Sequence, residues 1–251
     1  MTTNKAKIMY VDIETSLCLA AVWRPGYNLT INPDQIVEES KIIMIAFKWM
    51  GESKVHRFVW DKNKCDKNLL QKFCAEYEKA DMVVAHNGNR FDLPWINGRI
   101  IYHKLPPIHQ VPVEDTLKII KKLGKFNSNK LDYLGKHLNI GRKLDHAGFK
   151  LWLDVCFSTG KKYSKALSEM GRYCDQDVLL LEDFYKRILP YHTPKVNVLG
   201  TSPLGCVKCG AIMTRNKAYT LIGGATKHQM RCLSCKATRT ISDSQYKRGI
   251  K

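Results

Sequence analysis

The chain has 251 residues, 44% hydrophobic and 25% charged, enough for one substantial domain with a real core plus a small appendage. Its 41 basic side chains against 23 acidic ones leave a formal charge of +18, far more than solubility requires, and no apolar run approaches the roughly 20 residues of a bilayer span. Nine cysteines, an odd count, and no apolar signal segment after Met1 argue against a secreted disulfide scaffold, so the expectation is a cytoplasmic protein with a polyanionic partner, most plausibly nucleic acid.

The first element, Lys7 to Thr15, is an apolar run ending in two acids. Side chains at i and i+2 of a strand share a face, so Asp12 and Glu14 stand together at the end of a largely buried strand. Two carboxylates so placed repel each other and lose hydration unless a positive charge sits between them, and a divalent metal is the simplest such charge. The alternative is a strand that frays into solvent at Asp12. Ser16 to Ser40 has no clear periodicity and reads as a long excursion, in which Trp23, Arg24 and Tyr27 could meet a nucleic acid or anchor the loop. Lys41 to Met50 and Lys54 to Trp60 read as strands joined by a tight turn, giving three sequential antiparallel strands.

Leu69, Leu70, Phe73, Cys74 and Tyr77 recur at helical spacing, and Asp81 to His86 is a short buried strand. After the turn His86 to Arg90, a helix opens around Asp92 with Pro94 in its first turn, where a missing amide hydrogen does no harm. An aspartate there lies near a helix N-terminus and beyond a strand's C-terminal end, the edge at which open α/β sheets bind ligands. Val111 to Thr116 is a fifth strand, with Asp115 or Thr116 capping the next helix, and Leu131 to Leu138 is a short helix ended by Gly141. From Tyr163 to Leu189 the pattern is a long helix in which Asp177 interrupts an apolar stripe and shares a face with Tyr173, while Asp175 points away into solvent. Val196 to Pro203 reads as a linker.

Four acids in apolar settings thus fall near element ends: Asp12, Glu14, Asp92 and Asp177. Their hard oxygens suit Mg²⁺ or Mn²⁺, and two such ions can activate a water on one side of a phosphodiester and stabilise the leaving 3′ oxygen on the other. With Asp12-Ile13-Glu14-Thr15, His86-Asn87-Gly88-Asn89-Arg90-Phe91-Asp92 and Tyr173-Cys174-Asp175-Gln176-Asp177 in this order, the chain resembles the DnaQ-like 3′-to-5′ exonucleases. A tyrosine four residues before the last aspartate, and Arg172 rather than histidine five before it, make the match to the tyrosine (DEDDy) branch, as in polymerase proofreading domains. The resemblance spans roughly residues 6 to 190. It implies a ribonuclease H-like α/β fold with a mixed five-stranded sheet flanked by helices. It also implies two metal ions held by Asp12, Glu14, Asp92 and Asp177, a water held by Tyr173, and a terminal nucleotide near Thr15 and Asn87.

Cys206-Val207-Lys208-Cys209 and Cys232-Leu233-Ser234-Cys235 form two CxxC knuckles, a closed four-thiolate set that fits one structural zinc ion. Strands over Ala218 to Ile222 and Thr226 to Arg231, turned at Gly223-Gly224, would complete a zinc ribbon. Residues 200 to 251 carry 10 basic side chains and one acid, which suits a nucleic-acid clamp, with a protein-docking module as the alternative. The expected organisation is a nuclease domain over residues 1–195 and a zinc ribbon over residues 200–251. The expected activity is release of nucleoside 5′-monophosphates from single-stranded DNA, in repair, recombination, nucleotide salvage or a phage-encoded function, with a replication or repair protein as a candidate partner. A catalytically inactive single-strand-binding or polymerase-tethering adaptor and an exoribonuclease are the competing readings. The remaining cysteines, Cys18, Cys65, Cys74, Cys156 and Cys174, read as small core or surface residues.

Overall fold

The computed structural model describes residues 6–144, 148–196 and 204–250; the segment Met1 to Lys5 and nearly all of the expected linker, residues 197–203, lie outside the described residues. Five strands form the main sheet: β1 (Ile8–Thr15), β4 (Ile42–Trp49), β5 (His56–Val59), β6 (Met82–Ala85) and β7 (Val113–Asp115), in the order β5-β4-β1-β6-β7. β1 pairs antiparallel with β4, β4 antiparallel with β5, and β1 and β7 each parallel with β6, so the sheet is mixed. β1, β4 and β6 are nearly continuous apolar runs because the sheet is covered by helices on both faces. α1 (Lys67–Tyr77) and α2 (Asp92–Tyr102) pack against one another and on β4, while the 29-residue α6 (Gly160–Ile188) lies along β1 and β4. α3 (Thr116–Leu123), α4 (Leu131–His137) and α5 (Phe149–Phe157) complete this body.

α6 is fastened to the sheet by its stripe of Met170, Cys174, Val178, Leu181, Phe184 and Tyr185, all at most 1% exposed. Tyr185 meets Tyr10 of β1 edge to face, and the buried Lys48 of β4 pairs with Glu182, so the helix cannot rotate without breaking a buried ion pair. This is what fixes the angular position of Tyr173 and Asp177 further up the same helix.

The excursion after β1 contains a small hairpin, β2 (Leu19–Ala20) with β3 (Ile36–Glu38), closed at its base by Ser16 N donating to Lys41 O at 2.7 Å. Trp23 and Tyr27 at its tip are fully exposed, so they do not anchor the loop to the body. Asp175 departs from expectation: it forms an ion pair with Arg57 of β5 at 3.5 Å, and Gly171, one helical turn before it, has no side chain to block the guanidinium.

A separate three-stranded antiparallel sheet occupies the C-terminal part, β8 (Met213–Thr220), β9 (Thr226–Cys232) and β10 (Thr238–Ser242), followed by α7 (Asp243–Gly249). β8 starts earlier than its hydrophobicity suggests because seven of its eight residues face solvent. Its own core is small, built on Leu204, Met213, Met230 and Ile241. The sheet is docked rather than loosely hung. Ser242 and Gln245 form a capping box at the start of α7, and the amide of the buried Gln245 also donates to Asp81 O at 2.6 Å; His109 Nε2 meets Ser244 Oγ at 2.9 Å. Asp81 precedes β6, so the C-terminal sheet sits at the opposite end of β6 from the turn beginning at His86.

Candidate active site

β1 carries Asp12 and Glu14 to the open end of the sheet, where the register against β4 shifts between Glu14 and Thr15. Both carboxylates lie on one face, and a ligand oxygen of each falls within 4.8 Å of the other and of Cys174 Sγ on α6. The fraying alternative is therefore ruled out: the strand stays paired through Asp12 and Glu14, and Glu14 is only 9% exposed. Asp92 opens α2 and is 2% exposed, and Asp177 on α6 is likewise 2% exposed.

The turn after β6 has a definite cause. Asp115 accepts from Leu117 N and Lys118 N as the cap of α3, and its carboxylate also takes Asn87 N at 3.1 Å and Asn89 N at 3.2 Å. Asn87 has a φ of 70°, and a Cβ at Gly88 would collide with Ala85, so only glycine lets the chain turn tightly enough to bring Asp92 back to β1. His86 is held by Thr116 Oγ1 at 2.9 Å and Asn129 O at 3.0 Å, and burial lowers its pKa.

The electrostatics follow from this crowding. Burial first, then the charge of Asp177, raises the Asp12 carboxyl to about 7. Burial, then Asp12 and Asp177, pushes Glu14 well above the usual range, and burial, then Asp12, does the same to Asp92. Asp177 is raised by burial too, against the opposing pull of Lys143, and its Oδ1 is buried with no hydrogen-bond partner. Such a cluster is a donor set for cations: hard oxygens, negative, desolvated and incompletely satisfied. The residues present fit a divalent metal.

Lys143 is a residue that sequence reasoning missed. Its ammonium forms an ion pair with Asp177, donates to Tyr173 Oη at 3.0 Å and lies 5.0 Å from the Tyr173 ring centroid. Burial works against its charge, but Asp177 and Tyr173 outweigh it and raise its pKa. Burial and Asp177 push the Tyr173 phenol up to about 12, so it stays protonated at neutral pH. Cys174, expected to be an ordinary small residue, instead points its thiol at Asp12 Oδ2, 3.5 Å away.

A cleft of about 660 Å³ opens beside these groups; Asp12, His86, Asn87, Asp132, Lys121, Lys130 and Lys143 line it, while Glu14, Asp92, Tyr173 and Asp177 are not among its lining residues. Asn87 therefore stands in the cleft. Thr15 ends β1, half-buried, after the register shift, and is not among the cleft-lining residues.

In the C-terminal sheet the four cysteines come together: Cys206 Sγ lies 3.4 Å from Cys235 Sγ and Cys209 Sγ 3.5 Å from Cys232 Sγ. A zinc ion about 2.3 Å from each of four tetrahedral sulfurs sets them about 3.8 Å apart, so the cluster is close to that geometry. Hydrogen bonds led by the Cys235 amide lower the Cys232 thiol to about 6, while against the pull of the Ala237 amide the Cys206 and Cys209 thiols raise Cys235 to about 11.

Residues 36–189 match the family model described as the RNase_H superfamily, and the chain belongs to that superfamily. Among solved structures it is similar to the family B DNA polymerase from the hyperthermophilic archaeon Pyrobaculum calidifontis, with a TM-score of 0.53 and 15% identity over 74% of this chain. The likeness is one of fold, and the chain spans 25% of that polymerase. No curated protein matches the sequence. Among the described residues, no helix is long and apolar enough to cross a membrane.

Proposed function

We propose that this chain is a metal-dependent 3′-to-5′ exonuclease of the tyrosine branch, acting on single-stranded nucleic acid with DNA favoured over RNA. The observation that carries the reading is the convergence of Asp12, Glu14, Asp92 and Asp177, from β1, α2 and α6, into one buried carboxylate cluster, of which Asp12 opens on a basic-walled cleft. Two Mg²⁺ or Mn²⁺ ions held by these four carboxylates would supply an activated water and charge stabilisation at the leaving 3′ oxygen. Tyr173, protonated, holds the attacking water by its hydroxyl, because a phenol with a pKa of about 12 positions a water better than it deprotonates one. Lys143 orients that hydroxyl through its 3.0 Å hydrogen bond and places a positive charge where a phosphate enters. Lys121 and Lys130 extend the positive wall along the cleft, and Asn87 faces the terminal nucleotide.

Tyr173→Phe keeps the ring and removes the hydroxyl, so kcat should fall on the order of 10²-fold while KM moves little. Steady-state kinetics on a short oligonucleotide checks this. Single-stranded DNA, duplex DNA and RNA of one sequence, each with Mg²⁺ or Mn²⁺, test the substrate assignment. Fastest loss of the single DNA strand supports it, and a faster loss of RNA would replace it with an exoribonuclease.

Residues 1–195 form the nuclease unit in this reading, and residues 200–251 a zinc ribbon that grips nucleic acid beyond the cleft through phosphate contacts. Lys217 and Arg231 are exposed on β8 and β9. Replacing both with Gln should leave turnover at saturation intact and reduce the steepness of log affinity against log salt by about 1.4, two phosphate contacts on a single strand. An unchanged slope would assign the ribbon to a protein partner.

A further inference from the structure

We infer that Cys174 turns the carboxylate cluster into a trap for thiophilic cations: its Sγ, with one oxygen each of Asp12 and Glu14, binds a single Zn²⁺ or Cd²⁺ and thereby blocks the hard-metal site. No step of the proposed hydrolysis uses a thiol, yet this one is fully buried and aimed at the carboxylates. A tetrahedral zinc about 2.3 Å from sulfur and about 2.1 Å from oxygen sets those two atoms about 3.6 Å apart. Cys174 Sγ and Asp12 Oδ2 are 3.5 Å apart, and a Glu14 oxygen lies within 4.8 Å of both. Asp177, one turn further along α6, stands outside this three-ligand set and is paired with Lys143, yet its charge bears on Asp12, Glu14 and Cys174 alike, so the set lies in a field that favours a cation.

Softness decides which cation gains. Magnesium and manganese are oxygen-seeking and draw little from a sulfur, whereas zinc and cadmium bind thiolate strongly. Binding releases to solvent the thiol proton and whatever protons Asp12 and Glu14 hold, and leaves a thiolate and two carboxylates around the ion, with a fourth position open. Three protein ligands make this site weaker and more exchangeable than the closed four-cysteine set, so it fills only after Cys206, Cys209, Cys232 and Cys235.

The blocking consequence rests on the exonuclease reading; the binding itself does not. The test uses the full chain, wild type and Cys174→Ser, titrated with Cd²⁺ and followed by the ultraviolet cadmium–thiolate charge-transfer absorption. In parallel, Mn²⁺ bound to the protein is followed by electron paramagnetic resonance while Zn²⁺ is added. The expected result is a late cadmium phase worth one thiolate in the wild type and absent from the variant, with Zn²⁺ displacing Mn²⁺ at concentrations about 10- to 100-fold lower in the wild type. Identical cadmium phases and identical zinc competition would overturn the trap. A Cys174-dependent cadmium phase in a protein that binds no Mn²⁺ upholds the trap and removes the two-metal reading; Mn²⁺ binding without that phase does the reverse. Should Cys174→Ser not fold, Asp12→Asn, which keeps the thiol and weakens its partner oxygen, must lose the same late phase, and its persistence there would overturn the trap.

Discussion

Asp12→Asn should abolish turnover and at the same time raise the melting temperature of the metal-free protein. Loss of one of the carboxylates that would hold the metal is expected to cost on the order of 10³-fold or more in kcat, about 4 kcal/mol of transition-state stabilisation. The gain in stability has a separate origin. Without metal, Asp12 is desolvated and repelled by Asp177, which is why its pKa rises from 3.8 to about 7. An amide of the same shape removes that repulsion.

The sign of the pH dependence follows. Between the unfolded value of 3.8 and the folded value of about 7, the folded protein keeps a proton that the unfolded chain has released. The contribution of Asp12 is therefore fully present below its unfolded pKa and is lost as pH rises through 7, opposite to a salt-bridged aspartate. Glu14 and Asp92, raised in the same direction, add to it. Melting temperatures of the metal-free wild type should fall between about pH 5 and about pH 8, and fall less in Asp12→Asn; added Mn²⁺ should recover the wild-type loss. An Asp12→Asn protein that melts lower than wild type at about pH 8 would mean that Asp12 carries a structural contact instead.

Lys143→Met is the second large effect and has the opposite signature. It keeps the aliphatic stem and removes the ammonium that pairs with Asp177 and holds Tyr173 Oη. Asp177 is 2% exposed and cannot recover that charge from water, so the metal-free protein should lose about 2 kcal/mol. In the proposed mechanism turnover should fall on the order of 10²-fold, because the Tyr173 hydroxyl assigned to the water loses its partner and an entering phosphate would lose a charge. A divalent cation can take over part of the neutralisation, so the stability deficit should shrink when Mn²⁺ is added. Denaturant unfolding with and without Mn²⁺ reads this directly; a deficit that stays constant would place Lys143 in a purely structural role.

The sheet was legible because β1, β4 and β6 are buried on both faces and therefore read as unbroken apolar runs, and because α6 carries a long stripe at helical spacing. The acids were legible for the same reason, standing out as charges where the pattern wanted apolar residues. Lys143 was not, since one lysine among 41 basic side chains in a loop after Gly141 carries no periodic signal. Its pairing with Asp177 exists only once α4 and α6 bring residues 34 positions apart together. Cys174 was hidden by the opposite effect, because a buried cysteine looks like any small core residue until its neighbours are known. The α5 segment Phe-Lys-Leu-Trp-Leu-Asp-Val-Cys-Phe is apolar on most sides and begins without a side-chain cap after Gly148 at φ 61°, so neither amphipathicity nor a capping residue announces it. The third strand and α7 of the C-terminal sheet were missed because short polar elements there are held by Ser242, Gln245 and the docking to Asp81 rather than by an apolar face.

A time course on a 5′-labelled single strand with Mg²⁺, run beside the same strand labelled at its 3′ end, tests the central claim most directly. The exonuclease reading predicts a ladder that shortens one nucleotide at a time while the 5′ label stays on the longest products, with the 3′ label released at once as a mononucleotide. A strand left intact under both Mg²⁺ and Mn²⁺ by protein shown to bind Mn²⁺, or release of the 5′ label first, would contradict it.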